Sequence, residues 1–415
     1  MTERRTDCKP TEKQLQFMDW EMGAFFHFGI RSCYPGHQDW DNRPMPADAF
    51  CPADLDPDRW IATVKEAGCR YAVLTCKHHD GFCNWPSAYS TYTVRQTPWM
   101  DGKGDVVKLF CEACRRHGLA VGLYYSPAQW GEENADFQST DYDDYFVAQI
   151  TELLTQYGKI DYLWFDGCGA EGHVFDRARI IRTIRSLQPD ILIFNMWDPD
   201  TRWCGNEEGY AEIDNCNLTD RLPFSMQTDD LEQLHDIRFL PAECDLKMRS
   251  TWFDDDNADT VKTPEELLGL WEYSVGRGAN MLINIGPNAQ GLLPAPDAES
   301  LLYFGRLLRQ KWGTPLPFRT AQRSANTYVL TADLPLMADG LILQEDLKDG
   351  QHITGFSVHL TLISGRELCI YRSSTVGHKR VCTFPAVKTA KITVHTEGET
   401  PENPLIRITA HYTRT

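Results

Sequence analysis

From about residue 24 to about residue 286, short apolar runs alternate with amphipathic stretches. Ala24-Phe25-Phe26-His27-Phe28-Gly29 reads as a first strand. Asp56-Pro57-Asp58-Arg59-Trp60 then opens a helix, with Asp56 as N-cap and Pro57 in the first turn, where its missing N–H costs nothing. Trp60, Val64 and Ala67 share one face of that helix, and Gly68 ends it. The unit recurs, with strands predicted over 71–76, 119–125, 161–165 and 190–194 and helices over 106–116, 145–157 and 177–187. A further helix is expected over 265–277 and a further strand over 281–285. Near-continuous apolar strands separated by helices imply a parallel sheet covered on both faces. This many units favours a (β/α)8-like barrel of the TIM type over an open doubly wound sheet, and no Gly-rich nucleotide fingerprint follows any strand. The stretch 197–262 breaks the rhythm. It is irregular, rich in Asp, Glu, Asn and Trp, and reads as an insert that carries function. Beyond Pro315, short β-type runs at 341–343, 352–362, 367–371 and 391–395 predict a small antiparallel β-sandwich. The expected organisation is a barrel over 1–315 followed by the sandwich over 316–415.

Charge narrows the range of partners. A net charge of −18 argues against nucleic acid, whose phosphates need a basic surface. No apolar run is long enough to span a bilayer, so no membrane partner is expected. The N-terminal MTERRTDCKP lacks the apolar core of a signal peptide, which predicts a cytoplasmic protein. The 14 cysteines agree, because Cys76, Cys114 and Cys369 sit inside apolar patterns as small hydrophobes and not in a disulfide framework. Cys111-Glu-Ala-Cys114 is a CxxC on one amphipathic helix with no second pair nearby, so no metal site is predicted there. No cofactor is expected, and homo-oligomerisation is left open.

In a β/α barrel, catalytic groups gather where strands end and the following loops begin. The first strand ends at His27. The second ends at His78, His79 and Asp80, the third at Tyr125 and Ser126, the fourth at Trp164 and Asp166, and the fifth at Asn195. Asp166 follows the apolar Tyr-Leu-Trp-Phe, and Gly167 lets the chain turn sharply above it. An Asp in this position also caps helices, and a single His is often structural. Consecutive strand residues face opposite ways, so one of His78 and His79 at most faces the barrel mouth unless the strand has already broken into loop. Taken together, three histidines, an acid and aromatics on successive strand ends suit a neutral polyhydroxylated ligand.

The segments FFHFGIRS, YAVLTCKHHDGFCNWPSAYSTYTV, GLAVGLYYSPAQW, YGKIDYLWFDG and MLINIGPNAQGLL, in that order, resemble glycoside hydrolase family 29, the α-L-fucosidases. LILQEDLKDGQHITGFSV resembles the family's C-terminal β-sandwich. The resemblance implies a retaining exo-α-L-fucosidase that acts by double displacement on a fucosylated oligosaccharide. The WFDG match makes Asp166 the nucleophile. Arg202-Trp-Cys-Gly-Asn-Glu207-Glu-Gly209 is similar to the RWxGNExG motif of the branch that cuts α-1,3/1,4-linked fucose, and PAECDLKMRSTWF points to the same branch. Glu207 is then the acid/base, with Glu243 as runner-up, to bind substrate or brace a loop if it is not the acid. His27, His78, His79, Tyr125 and Trp164 match sugar-contacting positions. Asp39-Trp40 stands where the family often has Glu-Trp, and the shorter acid changes its reach. Arg202 is expected to face the site or to pair within its loop, and Trp85 to wall the pocket or fill the core. Two alternatives stay open: a retaining glycosidase for a related α-linked sugar, and a non-catalytic fucose-binding barrel.

Overall fold

The computed structural model describes residues 8–37, 41, 43–129, 141–223, 231–255, 260–324, 326–398 and 404–413. The chain enters through α1 (Glu12–Trp20), opened by a capping box between Thr11 and Gln14. Strands and helices then alternate: β1 (Met22–Phe26), α2 (Pro57–Ala67), β2 (Tyr71–Lys77), α3 (Val106–His117), β3 (Ala120–Tyr125), α4 (Tyr142–Gln156), β4 (Tyr162–Phe165), α5 (Arg177–Leu187) and β5 (Leu192–Phe194). The pattern-based elements recur here with ends moved by a few residues. In α2, Asp56 accepts hydrogen bonds from the Asp58 and Arg59 amides, and Gly68 adopts a φ of +120° as the chain leaves the helix.

The region 197–262 departs from the expectation of an irregular insert. It holds β6 (Arg202–Trp203), an antiparallel hairpin of β7 (Leu218–Pro223) and β8 (Leu231–Phe239), and β9 (Ala242–Lys247). Both β6 and β9 are barrel strands. Their neighbours are completed by α6 (Pro264–Tyr273), β10 (Asn280–Asn284) and α7 (Ala295–Trp312). Eight parallel strands run in the order β5-β4-β3-β2-β1-β10-β9-β6, and a bridge between Phe194 and Thr201 brings the two edges together into a nearly closed barrel. The β9 strand escaped the apolar-run test because its inward positions are Glu243, Asp245 and Lys247.

Two cores result from the strand alternation. Between sheet and helices pack Phe26, Trp60, Leu74, Phe110, Tyr125, Phe146 and their neighbours. Inside the barrel lie Phe25, Tyr71, Val73, Tyr124, Tyr162, Trp164, Phe194, Trp203 and Leu282. Gly23 makes room for this filling: a Cβ there would stand 2.4 Å from the Tyr71 ring. The N-terminal end of the barrel is plugged by α1, whose Phe17 ring lies 5.4 Å from Tyr162 and 5.9 Å from Tyr71. The other end is open to the βα loops.

The remaining strands, β11 (Arg319–Ser324), β12 (Thr327–Glu345), β13 (Gly355–Thr361), β14 (Glu367–Ser373), β15 (Arg380–Glu397) and β16 (Leu405–His411), form one antiparallel sheet. Register breaks between Thr331 and Leu336 and between Ala338 and Gly340 interrupt the long β12–β15 ladder, and the sheet encloses its own apolar core. It joins the barrel through the Val381 amide on Gly276 O and the Lys379–Glu21 ion pair. Among the described residues, no helix is long and apolar enough to cross a membrane.

Candidate active site

The open barrel end gathers polar groups from at least six strands. Asp166, just past β4, accepts hydrogen bonds from the Tyr124 hydroxyl at 2.8 Å and from the Cys168 amide at 2.9 Å. His79 Nε2 stands 3.3 Å from the same carboxylate. Burial alone would raise the pKa of Asp166. The His79 charge and hydrogen bond, with the Cys168 and Tyr124 donors, outweigh it and hold the carboxyl below its usual range. Asp166 is therefore kept as an anion in a half-buried setting, where it is a usable nucleophile.

The histidines are oriented by their own partners. His79 Nδ1 lies 2.6 Å from Ser126 Oγ, whose proton goes to Ala128 O, so Nδ1 is the donor. His27 Nδ1 lies 2.7 Å from Asn284 Oδ1, while Asn284 Nδ2 donates to Trp252 O. The Asn284 oxygen is thus the acceptor and His27 Nδ1 the donor. Burial lowers His27 to about 3, so it stays neutral, with Nε2 as an acceptor. His78 is likewise held neutral by burial and by its charged neighbours, and its ring stacks on Tyr124 at 5.5 Å and 9°. Both adjacent histidines reach the site because β2 shifts register between Thr75 and Lys77 and ends there. The ligand atoms of His78, His79 and Asp166 lie within 4.8 Å of one another, so these are the described residues that could hold a cation. His79 and Asp166 are already committed to each other and to protein donors.

Aromatic rings form the walls. Trp164 stacks between Tyr124 at 5.5 Å and Phe194 at 4.1 Å. Trp252 lies 4.8 Å from His27, and Phe253 stands edge-on to His27 and His78. The inner face of β9 spans the barrel height. At the bottom, Glu243 accepts hydrogen bonds from Tyr71, from Tyr162 at 3.2 Å and from the Trp164 indole at 2.8 Å. Burial raises its pKa to about 7 against these donors. One step up, Asp245 accepts from the Trp203 indole at 2.7 Å. At the rim, Lys247 pairs with Glu207 at 2.8 Å and sits 5.0 Å over the Trp252 ring. Glu207 is half-buried in the loop after β6.

The structure brings together Asp166, His27, His78, His79 and Trp164 at the site, with Glu207 in the β6 loop at its rim. It places others elsewhere. Tyr125 is turned outward: its hydroxyl donates to Gln149, and its ring lies under Lys77 Nζ at 4.4 Å. Its neighbour Tyr124 occupies the position expected of it, because β3 pairs Tyr124 with Trp164 and both side chains point inward. Trp85 is in the outer core, with its indole on Glu152 at 2.9 Å. Arg202 donates to Asn215 and to Cys216 O, on the outward face of a strand whose next residue, Trp203, points in. Glu243 lies at the barrel floor with both oxygens occupied. Asp39 and Trp40 fall outside the described residues. Sequence reasoning missed Tyr124, Trp203, Asp245, Lys247 and Trp252. Strand parity, counted from Trp164 across the β3–β4 register, would have found the first.

Comparison with known proteins gives a consistent picture. The alpha-L-fucosidase family profile matches residues 2–312. The chain is 31% identical to a rice protein (Oryza sativa subsp. japonica) that carries the family's name, over 96% of this chain and 83% of that one. It is 34% identical to alpha-L-fucosidase 1 of Arabidopsis thaliana, over 72% of this chain and 60% of the plant protein. Among solved structures, a glycoside hydrolase 29 family member from an unknown rumen bacterium superposes with a TM-score of 0.89 at 28% identity, covering 99% of this chain and 78% of that one.

Proposed function

Since the chain belongs to glycoside hydrolase family 29, the α-L-fucosidases, we propose that it is a retaining exo-α-L-fucosidase with Asp166 as nucleophile and Glu207 as acid/base. The observation that carries this reading is the state of Asp166, a half-buried carboxylate kept ionised by Tyr124, His79 and the Cys168 amide at the end of a barrel strand. In the first step Asp166 attacks the anomeric carbon and Glu207 gives its proton to the departing oxygen. In the second, Glu207 takes a proton from water, which releases the sugar from Asp166 with its configuration retained. His27 Nε2 and the His78 ring border the sugar hydroxyls, and the edges of the Trp164 and Trp252 rings its apolar faces. Glu207 suits the acid/base role better than Glu243, because Glu243 sits on the closed barrel floor with three donors filling its oxygens. The likeness of the Glu207 loop to the RWxGNExG motif supports terminal α-1,3/1,4-linked fucose on branched oligosaccharides as the substrate.

Asp166→Ala should lower fucoside hydrolysis by about 1,000-fold or more. Azide should restore turnover from the vacated face and yield the β-fucosyl azide. Hydrolysis at the wild-type rate in this variant would sink the assignment. Activity against fucosylated trisaccharides of different linkage, compared with a linear α-1,2-linked fucoside, tests the linkage.

A further inference from the structure

Six carboxyls among the described residues are buried: Glu152, Glu243, Asp245, Asp254, Asp297 and Glu345. A buried carboxyl needs most of its hydrogen-bonding capacity met. Glu243 has its three side-chain donors. Asp297 is gripped at both oxygens by Arg249. Glu345 takes the amides of His352, Ile353 and Gly377. Glu152 takes the Trp85 indole and the Ala88 amide, and Asp254 has a partner of its own. Asp245 is 3% exposed and receives from the protein a single hydrogen bond, Trp203 Nε1 on Oδ1 at 2.7 Å. Its other oxygen has no such donor among the described residues.

The position of Asp245 says what that oxygen faces. The alternation of β9 puts Asp245 on the inner wall, between Glu243 below and Lys247 above. Lys247 holds Glu207, and Glu207 and Asp245 lie close enough for their charges to act on each other. Trp203 belongs to the same inner aromatic cluster as Tyr124 and Trp164. The unfilled valence therefore opens toward the space below the loop of Glu207.

We propose that Asp245 is a substrate-binding residue, fixed through one oxygen by the Trp203 indole and presenting the other to a hydroxyl of the bound sugar. This rests on reading the pocket as the fucose site. Burial, aided by the nearby Cys204, Glu207 and Glu243 side chains and opposed by the Trp203 bond, holds the carboxyl well above the usual carboxylate range. A raised pKa favours the protonated acid, which keeps its carbonyl oxygen for Trp203 and turns an O–H to the sugar. Such a group selects for the hydroxyl it meets, because a sugar lacking that hydroxyl leaves the O–H unpaired.

The test is binding of L-fucose by calorimetry, with a panel of mono-deoxy L-fucoses, to the wild type, Asp245→Asn and Asp245→Leu. Asparagine keeps an acceptor for Trp203 and a donor for the sugar, so it should weaken L-fucose binding by only about 3- to 10-fold. Leucine should weaken it by about 30- to 100-fold, the worth of one hydrogen bond in a buried site. One deoxy sugar should bind the wild type poorly yet suffer little further loss in Asp245→Leu. That selective cancellation is the readout that a merely structural anchor for Trp203 would not give. Equal L-fucose affinity in the wild type and Asp245→Leu, or a loss in Asp245→Leu spread evenly over every deoxy sugar, would overturn the assignment of Asp245. A wild type that binds no L-fucose would instead overturn the pocket reading itself.

Discussion

Replacing Glu243 by glutamine should remove one pH-dependent component of stability, and its size follows from the burial of the group. Burial raises the Glu243 pKa from 4.5 to about 7. Between those values the folded chain holds a proton that the unfolded chain has released. The contribution of Glu243 is thus fully present below about 4.5 and is lost as pH rises toward 7. The difference of about 2.5 units, at about 1.36 kcal/mol per unit, makes the loss about 3 kcal/mol. Glutamine mimics the protonated acid: its oxygen can accept from Trp164 and Tyr162, and its amide can donate to the Tyr71 oxygen. Glu243→Gln should therefore lack this loss. At about 2 cal/mol/K of unfolding entropy per residue, 3 kcal/mol spread over this chain is about 3 °C in Tm. Scanning calorimetry of both proteins from pH 5 to pH 8 should show the variant gaining on the wild type by about that much. Glu345 titrates in the same range, but it lies in the other sheet and cancels in the difference. Parallel Tm–pH curves for the two proteins would refute the reasoning.

Tyr124→Phe removes a donor that helps hold Asp166 ionised, so the acid limb of the kcat/KM–pH profile should move to higher pH and kcat/KM should fall by about 10- to 100-fold. Tyr125→Phe should leave the pH profile in place and show its cost, about 1–3 kcal/mol for the stranded Gln149 oxygen, only as a lower Tm. Glu207→Gln should slow cleavage of a fucosylated oligosaccharide by about 100- to 10,000-fold, with a much smaller effect on an aryl fucoside whose leaving group needs no proton. Gly23→Ala should destabilise the barrel by about 1–3 kcal/mol, seen as a fall in Tm, because the new methyl meets the Tyr71 ring.

Where side chains obey the apolar rhythm, the sequence alone was enough to read the architecture. α2, with Asp56 and Gly68 at its ends, and β2 and β3, with their unbroken apolar runs, fall where the pattern puts them. β9 shows why the rest was hidden. A strand whose inner face reads Glu243, Asp245, Lys247 has the polarity of a loop, and only the closed barrel around it makes that face an interior. β6 is two residues long and has no periodicity to detect. The site followed the same division. A count of strand ends located Asp166, Trp164 and His27, because those residues close their strands. It named Tyr125 in place of Tyr124 because the last residue of a strand is not always the one that faces inward. The His78–His79 pair needed the break in β2 at Lys77, which no spacing rule announces.

The plug formed by α1 also bears on the order in which the molecule assembles. Gln14 Nε2 donates to Asp200 O at 2.7 Å and to Phe239 O at 2.6 Å, and Asn280 Nδ2 reaches Phe17 O at 2.7 Å. One short helix at the start of the chain thus fastens backbone that is synthesised some 190 to 260 residues later. Contacts of such long sequence separation are costly in loop entropy and form late. Until β6 and β10 have emerged, α1 can pack Phe17 on Tyr71 and Tyr162 but lacks the partners that complete the plug. A nascent chain stalled before residue 280 would carry an unsealed barrel. Sealing, and with it the fixed floor under Trp164 and Asp166, must wait for those last strands.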